Sequence, residues 1–358
     1  MSNILDYIDW RGDLSFDESP LCEVDLLILA ELSYLQLEGI VPAGFSTDLS
    51  FADAVDRFLK KHAGTKISFG AIVPDTILLL AEKARDSRRF GGLRVCGYRE
   101  RTEEKEEIQF AAVTFLWEEK FACCSFRGTD DTLVGWKENL NLSYLPEVPA
   151  QRAAAEYASL AAEMLDRIPA LYLAGHSKGG NLAIYAAVKG GDAVRSKLAQ
   201  VFGGDSPGFS ALFAESENYR AMLPKILHFV PTASVVGMLM NQEDENNITV
   251  KSSQRGVFQH DGFSWEVKGR QFLRAEGLTD DAKKTAVTVR AWIGGMRADE
   301  REELSAALYE ILHGGGSGTL SELNANRLEL LRSFQRLSPD SRKAILRGIR
   351  QLWEARKQ

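Results

Sequence analysis

The sequence predicts an α/β protein in which helices cover both faces of a mostly parallel sheet. Short apolar strands alternate with amphipathic helices from about residue 93 to residue 267, and this alternation is typical of parallel sheets. A strand, a sharp turn and a helix follow one another in residues 170–183, A-L-Y-L-A-G-H-S-K-G-G-N-L-A. Helical patterns dominate both ends of the chain. We therefore expect a main domain, residues 1–278, and a helical extension, residues 279–358, packed on it.

Composition is that of an ordinary globular protein. Of the 358 residues, 45% are hydrophobic and 26% are charged, as in most soluble domains. The 43 basic and 50 acidic residues give a net charge of -7, which argues against nucleic acid as a partner. No run of eighteen apolar residues occurs, so we expect no transmembrane helix, and at most transient contact with a membrane surface.

The N-terminus and the cysteines favour a cytoplasmic location. Acidic residues occupy the first residues, where a signal peptide would be basic and then apolar. The four cysteines lack metal-ligand spacing and are expected to be buried, reduced thiols: Cys22, Cys96, Cys123 and Cys124. We expect neither a metal nor a cofactor.

The order of elements follows from hydrophobic periodicity. Helices are predicted at 24–37, 50–62 and 75–89, followed by antiparallel strands at 93–98, 108–117 and 120–126. Further helices are predicted at 131–140, 149–168 and 193–198, strands at 171–174, 200–203 and 225–231, and an extended segment at 257–267. In the extension the sequence predicts four helices, 279–292, 298–312, 319–337 and 338–353. Glycine pairs or runs at 294–295 and 314–316 separate the first three of them.

The turn at residues 175–179, G-H-S-K-G, is typical of the nucleophile elbow of α/β-hydrolases. It would present Ser177 at the tip of a strained turn, where the residues two before and two after must be very small. Gly175 and Gly179 satisfy that condition. The alternative is an ordinary structural turn.

A serine nucleophile needs a base, and the base needs an acid to orient it. Of five histidines, only His260 lies downstream of Ser177 in a polar loop, which matches the chain order of α/β-hydrolases; the alternative is a surface or structural histidine. Asp205 follows the next predicted strand and is the candidate acid. Alternatively, Asp205 is a structural residue that caps the turn at Ser206. Asp261 and the charged loop 243–245 are weaker candidates for the acid.

The oxyanion of an acyl-transfer reaction needs two hydrogen-bond donors. The backbone N–H of Lys178 is one candidate, and that of Thr129, in the F-R-G-T turn after an earlier strand, is the other. The alternative is an ordinary strand-end turn in which Arg127 pairs with a core carboxylate.

These motifs together resemble the class 3 (fungal-type) lipases. F-R-G-T at 126–129, G-H-S-K-G-G at 175–180 and F-G-G-D-S-P-G at 202–208 carry the resemblance, and D-D-T-L-V-G-W-K-E-N with Q-H-D-G-F-S-W is closer to a bacterial branch of uncharacterised lipase-like proteins. The resemblance implies Ser177 as nucleophile, His260 as base, and Thr129 with Lys178 as the oxyanion hole. It places a lid at 130–144, where Leu133, Val134 and Trp136 would contact substrate.

One departure from that family concerns the acid. Fungal-type lipases carry their aspartate after the following strand, in a D-x-V-P setting, whereas this chain has Ser234 in the corresponding stretch V-P-T-A-S-V-V-G. Asp205 is the natural substitute; otherwise the site is a weaker dyad or inactive.

Three functional hypotheses follow. The first is a serine hydrolase acting on a lipid or small-molecule acyl ester, with residues 236–240 as further apolar contacts unless Met238 and Met240 belong to the core. The second is a non-catalytic binding or scaffold protein on a hydrolase fold, which the missing aspartate favours. The third is a thioesterase, amidase or peptidase that uses the same groups.

Overall fold

The computed structural model of the protein describes residues 2–65, 67, 69, 74–242, 246–313, 319 and 336–356. Its centre is an eight-stranded sheet whose strands lie side by side in chain order. They are β1 Leu49–Ser50, β2 Arg94–Glu103, β3 Ile108–Trp117, β4 Phe121–Phe126, β5 Ala170–His176, β6 Leu198–Gly204, β7 Ile226–Pro231 and β8 Asn247–Val250. Strands β1 to β4 pair antiparallel and β4 to β8 pair parallel, so the predicted α/β-hydrolase-like fold is confirmed.

Helices precede, flank and follow the sheet. Before β2 come α1 Ile4–Arg11, α2 Glu23–Leu32, α3 Phe51–Lys61, α4 Thr76–Asp86 and α5 Arg88–Gly91. Between the strands lie α6 Leu133–Asn141, α7 Pro149–Met164, α8 Lys178–Lys189, α9 Gly191–Lys197, α10 Ala211–Ala214 and α11 Glu217–Met222. A two-stranded hairpin, β9 Val267–Lys268 and β10 Gln271–Phe272, leads to α12 Asp280–Gly295, α13 Ala298–His313 and α14 Pro339–Ala355.

Alternate residues of each strand point into two separate cores. Ala174 and Phe202 belong to the core that contains α2, whereas Leu173 and Val201 belong to the core that contains α7 and α8. Helix α2 is apolar around most of its circumference and is buried along its length, as expected of a helix surrounded by protein. The sheet is therefore covered on both faces, and the ends of its parallel strands meet at one shared edge.

A buried ion pair ties the N-terminal helices together. The Arg89 guanidinium, on α5, contacts both carboxylate oxygens of Asp25, on α2, at 2.7 and 2.6 Å, and the Tyr7 hydroxyl donates to Asp25 at 3.0 Å. Both charged side chains are fully buried. Because each charge has its partner and further hydrogen bonds, this pair fixes how α1, α2 and α5 pack.

One local prediction is wrong. Residues 257–267 do not form an extended segment but two 3₁₀ turns, Gly256–His260 and Gly262–Ser264, because the side chains of Asp261 and Ser264 bond to nearby backbone groups. The predicted separation of two helices at Gly294–Gly295 is confirmed, since α12 includes both glycines and ends at Gly295, and α13 begins at Ala298. The glycines at 314–316 and most of the predicted helix 319–337 lie outside the described residues.

Helix α13 contacts the main domain, where Arg301 donates to the carbonyl of Ser143 and Ser305 donates to Asn141; the division at residue 278 stays a prediction. All four cysteines are free thiols, as predicted, but only Cys96, Cys123 and Cys124 are buried, whereas Cys22 is partly exposed. Within the described ranges, no helix has the length and apolar character that crossing a membrane requires.

Candidate active site

Ser177 lies at the tip of the turn that joins β5 to α8. Its backbone has φ 56° and ψ -132°, a conformation that costs free energy for any residue other than glycine and is typical of functional sites. The turn is tight. A Cβ atom at Gly175 would lie 2.1 Å from the Gly179 backbone, and one at Gly179 would lie 2.1 Å from the carbonyl oxygen of Phe126. Both positions therefore require glycine, as an elbow demands.

The side chains of Ser177, His260 and Asp205 form one hydrogen-bonded chain. Nε2 of His260 lies 3.0 Å from Oγ of Ser177, and Nδ1 of the same ring lies 2.7 Å from Oδ2 of Asp205. The 3₁₀ turn Gly256–His260 supplies the histidine, and the end of β6 supplies the aspartate. The structure thus brings Ser177 and Asp205, which are 83 and 55 positions from His260 in the chain, into contact with its ring.

Asp205 is fully buried and, like Ser177, has a positive φ, 41°. Oδ1 accepts hydrogen bonds from the Ser234 hydroxyl at 2.5 Å and from the Gly237 N–H at 3.0 Å. Burial favours a higher pKa, but the hydrogen bond and charge of His260 and the hydrogen bond of Ser234 outweigh it and hold the pKa of Asp205 below its ordinary value. Ser234, at the position where the resemblance implied an aspartate, thus supports the carboxylate of Asp205.

Such an arrangement can activate a hydroxyl group. A carboxylate on Nδ1 leaves Nε2 of His260 unprotonated and facing Ser177, so the imidazole can take the hydroxyl proton as the oxygen attacks an electrophile. The carboxylate also stabilises the imidazolium that forms.

The backbone N–H groups of Lys178 and Thr129 are the predicted oxyanion donors. Within the described part of the chain, neither the Lys178 nor the Thr129 N–H bonds to a protein acceptor, and both residues line the cavity beside Ser177. Asn139, on α6, donates to Oγ1 of Thr129 at 2.7 Å. Arg127 also forms the ion pair with a carboxylate that was the alternative role for this turn: it lies 2.6 Å from Glu100. The turn therefore carries both this ion pair and the candidate oxyanion donor.

The ammonium group of Lys178 makes a buried ion pair that the sequence did not indicate. Nζ lies 2.9 Å from Oε2 of Glu138, on α6, and donates to the backbone and side-chain oxygens of Gln109 at 2.7 and 2.5 Å. Glu138 also accepts from the N–H groups of Gln109 and Ala150. The pair joins the residue after Ser177 to α6, which lies in the segment predicted to form a lid, and holds that helix in place.

Replacing Glu138 with leucine is expected to destabilise the fold by about 3–5 kcal/mol, because it leaves the Lys178 ammonium buried without a counter-charge. Urea unfolding followed by circular dichroism measures the change. The double variant Glu138→Leu/Lys178→Met should recover most of the loss but not all, since two backbone N–H groups still lack their acceptor.

The exposed pair Arg350–Glu354 provides the control: Glu354→Ala should leave the midpoint of unfolding unchanged. Equal effects of Glu138→Leu and Glu354→Ala would contradict the buried ion pair.

A cavity of about 720 Å³ opens beside Ser177 and has mainly apolar walls. Three segments supply much of its wall: Trp136, Leu140 and Leu142 in and after α6; Val236, Leu239 and Met240 after β7; and Val289, Trp292 and Ile293 on α12. Of the three contacts predicted in the lid segment, only Trp136 lines this cavity. Leu133 is buried, and neither it nor Val134 reaches the wall, because the helix turns the side that carries Trp136 and Leu140 toward the cavity. Met238 belongs to the core.

The participation of α12 was not predicted. Trp292 faces the cavity and its indole N–H donates to the backbone carbonyl of Gly348, on α14, at 2.8 Å. Helix α12 therefore completes the wall of the candidate site, and α14 holds Trp292 in place.

The fold and this serine-centred site define an α/β-hydrolase-like protein. The model of one protein family, described as Mbeg1-like, matches residues 84–310, well over half of the chain. The chain belongs to the Mbeg1-like family, a lipase-like family, and this membership suggests a hydrolase.

A solved structure described as "Rhizomucor miehei lipase propeptide complex, native" is similar to this chain at 14% identity, over 63% of this chain and 67% of that one, with a TM-score of 0.37. No match was found among curated proteins. The assignment to class 3 lipases and to a bacterial branch of them stays a prediction.

Proposed function

We propose that the protein is a serine hydrolase that cleaves carboxylic esters, with Ser177 as nucleophile, His260 as base and Asp205 as the orienting acid. The observation that carries this proposal is the continuous hydrogen-bonded chain from Asp205 through His260 to Ser177. A buried, ionised carboxylate, a partly exposed imidazole and a hydroxyl on a strained turn are the groups that acyl transfer needs.

The reaction has two steps. Ser177 Oγ attacks the ester carbonyl while His260 takes its proton; the C–O bond to the alcohol then breaks, and His260 returns the proton to the departing alcohol. Water then attacks the acyl-enzyme while His260 takes one of its protons. The bond between the acyl carbon and Ser177 Oγ breaks, His260 returns the proton to Oγ, and the carboxylic acid leaves. The N–H groups of Thr129 and Lys178 would bind the negative oxygen in both tetrahedral intermediates.

The cavity supports an apolar acyl group as substrate. Its volume of about 720 Å³ lies within the range of small-molecule sites. Its walls suit an alkyl chain better than a peptide or a sugar.

The non-catalytic alternative drew its support from the absent aspartate. Since Ser234 donates to Asp205 and Asp205 contacts His260, that support is removed. Thioester or amide hydrolysis needs the same groups, and substrates must decide between them.

A substrate panel tests the proposal. Acetyl, butyryl, octanoyl and palmitoyl esters of p-nitrophenol, with a matched thioester and anilide, are incubated with the wild type and with Ser177→Ala as blank. We expect ester hydrolysis that depends on Ser177, and slower cleavage of the anilide. No Ser177-dependent turnover of any substrate would contradict the proposal.

Replacing Trp292 with alanine is expected to shift the preference of this panel toward longer acyl chains, because it enlarges one wall of the cavity. The ratio of kcat/KM for palmitoyl to butyryl ester should rise by roughly 10-fold, since each buried methylene in a pocket is worth about 1 kcal/mol. Trp353→Ala, on α14 and largely exposed, is the matched control and should leave the ratio unchanged. Equal shifts in both variants would mean that α12 does not set chain length.

A further inference from the structure

A second histidine lies directly beneath His260. The rings of His176 and His260 have centroids 4.8 Å apart and an interplanar angle of 33°. Nε2 of His176 lies 2.8 Å from the backbone carbonyl oxygen of His260. A carbonyl can only accept a hydrogen bond, so Nε2 of His176 carries a proton and donates it. His176 thus holds the backbone of the residue proposed as base.

Glu31, on α2, lies behind His176. Its side chain is almost fully buried, and Oε1 makes no hydrogen bond within the described part of the chain. Nδ1 of His176 lies 3.4 Å from this oxygen. Gly262 packs against the same oxygen, where a Cβ would lie 2.8 Å away. A buried carboxyl without a partner is costly, so its presence here requires a reason.

Burial disfavours the charged form of both Glu31 and His176. Burial, and secondarily the charge of Asp261, raises the pKa of Glu31 well above its ordinary value. Burial and the neighbouring His260 lower the pKa of His176 to about 3. A neutral carboxyl is a donor, and a neutral imidazole protonated on Nε2 offers Nδ1 as an acceptor. The two facing atoms are therefore complementary.

We propose that Glu31 is a positioning residue that donates its carboxyl proton to Nδ1 of His176 and thereby keeps the Nε2 proton of His176 on the carbonyl of His260. The proposal rests on the proposed function only in that His260 is the base. Glu31 acts through His176 and does not touch the reacting atoms. A neutral His176 also leaves His260 free to become an imidazolium with no positive charge beside it.

Two variants of Glu31 separate the hydrogen bond from mere packing. Glu31→Leu removes the donor, and we expect kcat to fall by about 10-fold or more with KM little changed, because a misplaced base slows chemistry and not binding. Glu31→Gln retains an N–H donor of nearly the same shape and should keep kcat within about threefold of the wild type. Equal losses in the two variants would overturn the proposal.

Nitrogen-15 NMR of the wild type and the variants reports the state of this relay, the hydrogen-bonded chain from Glu31 through His176 to the carbonyl of His260, without any substrate. We expect His176 to be neutral with the proton on Nε2 in the wild type and in Glu31→Gln, and to populate the Nδ1 tautomer in Glu31→Leu. A charged His176, or one protonated on Nδ1, in the wild type would overturn the proposal even if Glu31→Leu fails to fold. Because this signal needs no turnover, a failure of the relay is distinguishable from a failure of the hydrolase proposal.

A double-mutant cycle completes the test. If Glu31 acts only through His176, Glu31→Leu should not lower kcat further in a His176→Leu background. Additive losses would contradict the relay and assign Glu31 an independent role.

Discussion

Replacing Ser177 with alanine is expected to lower kcat for the best ester by roughly 10⁶-fold, because loss of the nucleophile leaves only binding and the oxyanion hole. The residual rate should not depend on His260. Initial rates at high enzyme concentration measure the loss.

The same variant provides a structural control. Alanine keeps the Cβ of Ser177 and its strained backbone, so the thermal midpoint should not fall and the loss of kcat cannot come from unfolding. A Ser177→Ala protein that retains more than about one per cent of the activity would exclude Ser177 as nucleophile, given the size of the expected effect.

Replacing Asp205 with asparagine should lower kcat by about 10⁴-fold with little change in KM. An asparagine amide can donate to Nδ1 of His260, which favours the tautomer that carries its proton on Nε2 and cannot accept one from Ser177. The measurement is kcat over a range of pH, since the variant also removes the charge that stabilises the imidazolium.

Ser234→Ala is the matched comparison for Asp205→Asn. It removes one of the two hydrogen bonds to Oδ1 of Asp205 but leaves the carboxylate against His260, so we expect a loss of about 10-fold or less, as for other supporting hydrogen bonds. A Ser234→Ala loss as large as that of Asp205→Asn would mean that the acid has been misassigned.

The parts of the site that lie in short motifs could be predicted from the sequence. Ser177 and its flanking glycines form a local turn whose steric demands are visible in five residues, and the alternation of strands and helices placed Asp205 at the same edge of the sheet. Chain order together with the polar loop around it was enough to choose His260 among five histidines.

The parts that depend on distant contacts could not be predicted. Lys178 reads as one basic residue in a turn, and its counter-charge Glu138 is 40 positions away. Glu31 lies in an apolar helix with no local sign of its contact with His176. The phase of α6, which turns Trp136 and not Leu133 to the cavity, is set by packing. The contribution of α12 to the cavity depends on how the extension folds back.

Covalent labelling of the intact protein with a fluorophosphonate, followed by mass measurement and peptide mapping, tests Ser177 as the nucleophile most directly. We expect stoichiometric addition of one phosphonyl group at Ser177, slow labelling of Asp205→Asn, and none of Ser177→Ala. A folded wild-type protein that stays unlabelled, or that carries the adduct on another residue, would exclude Ser177 as the nucleophile.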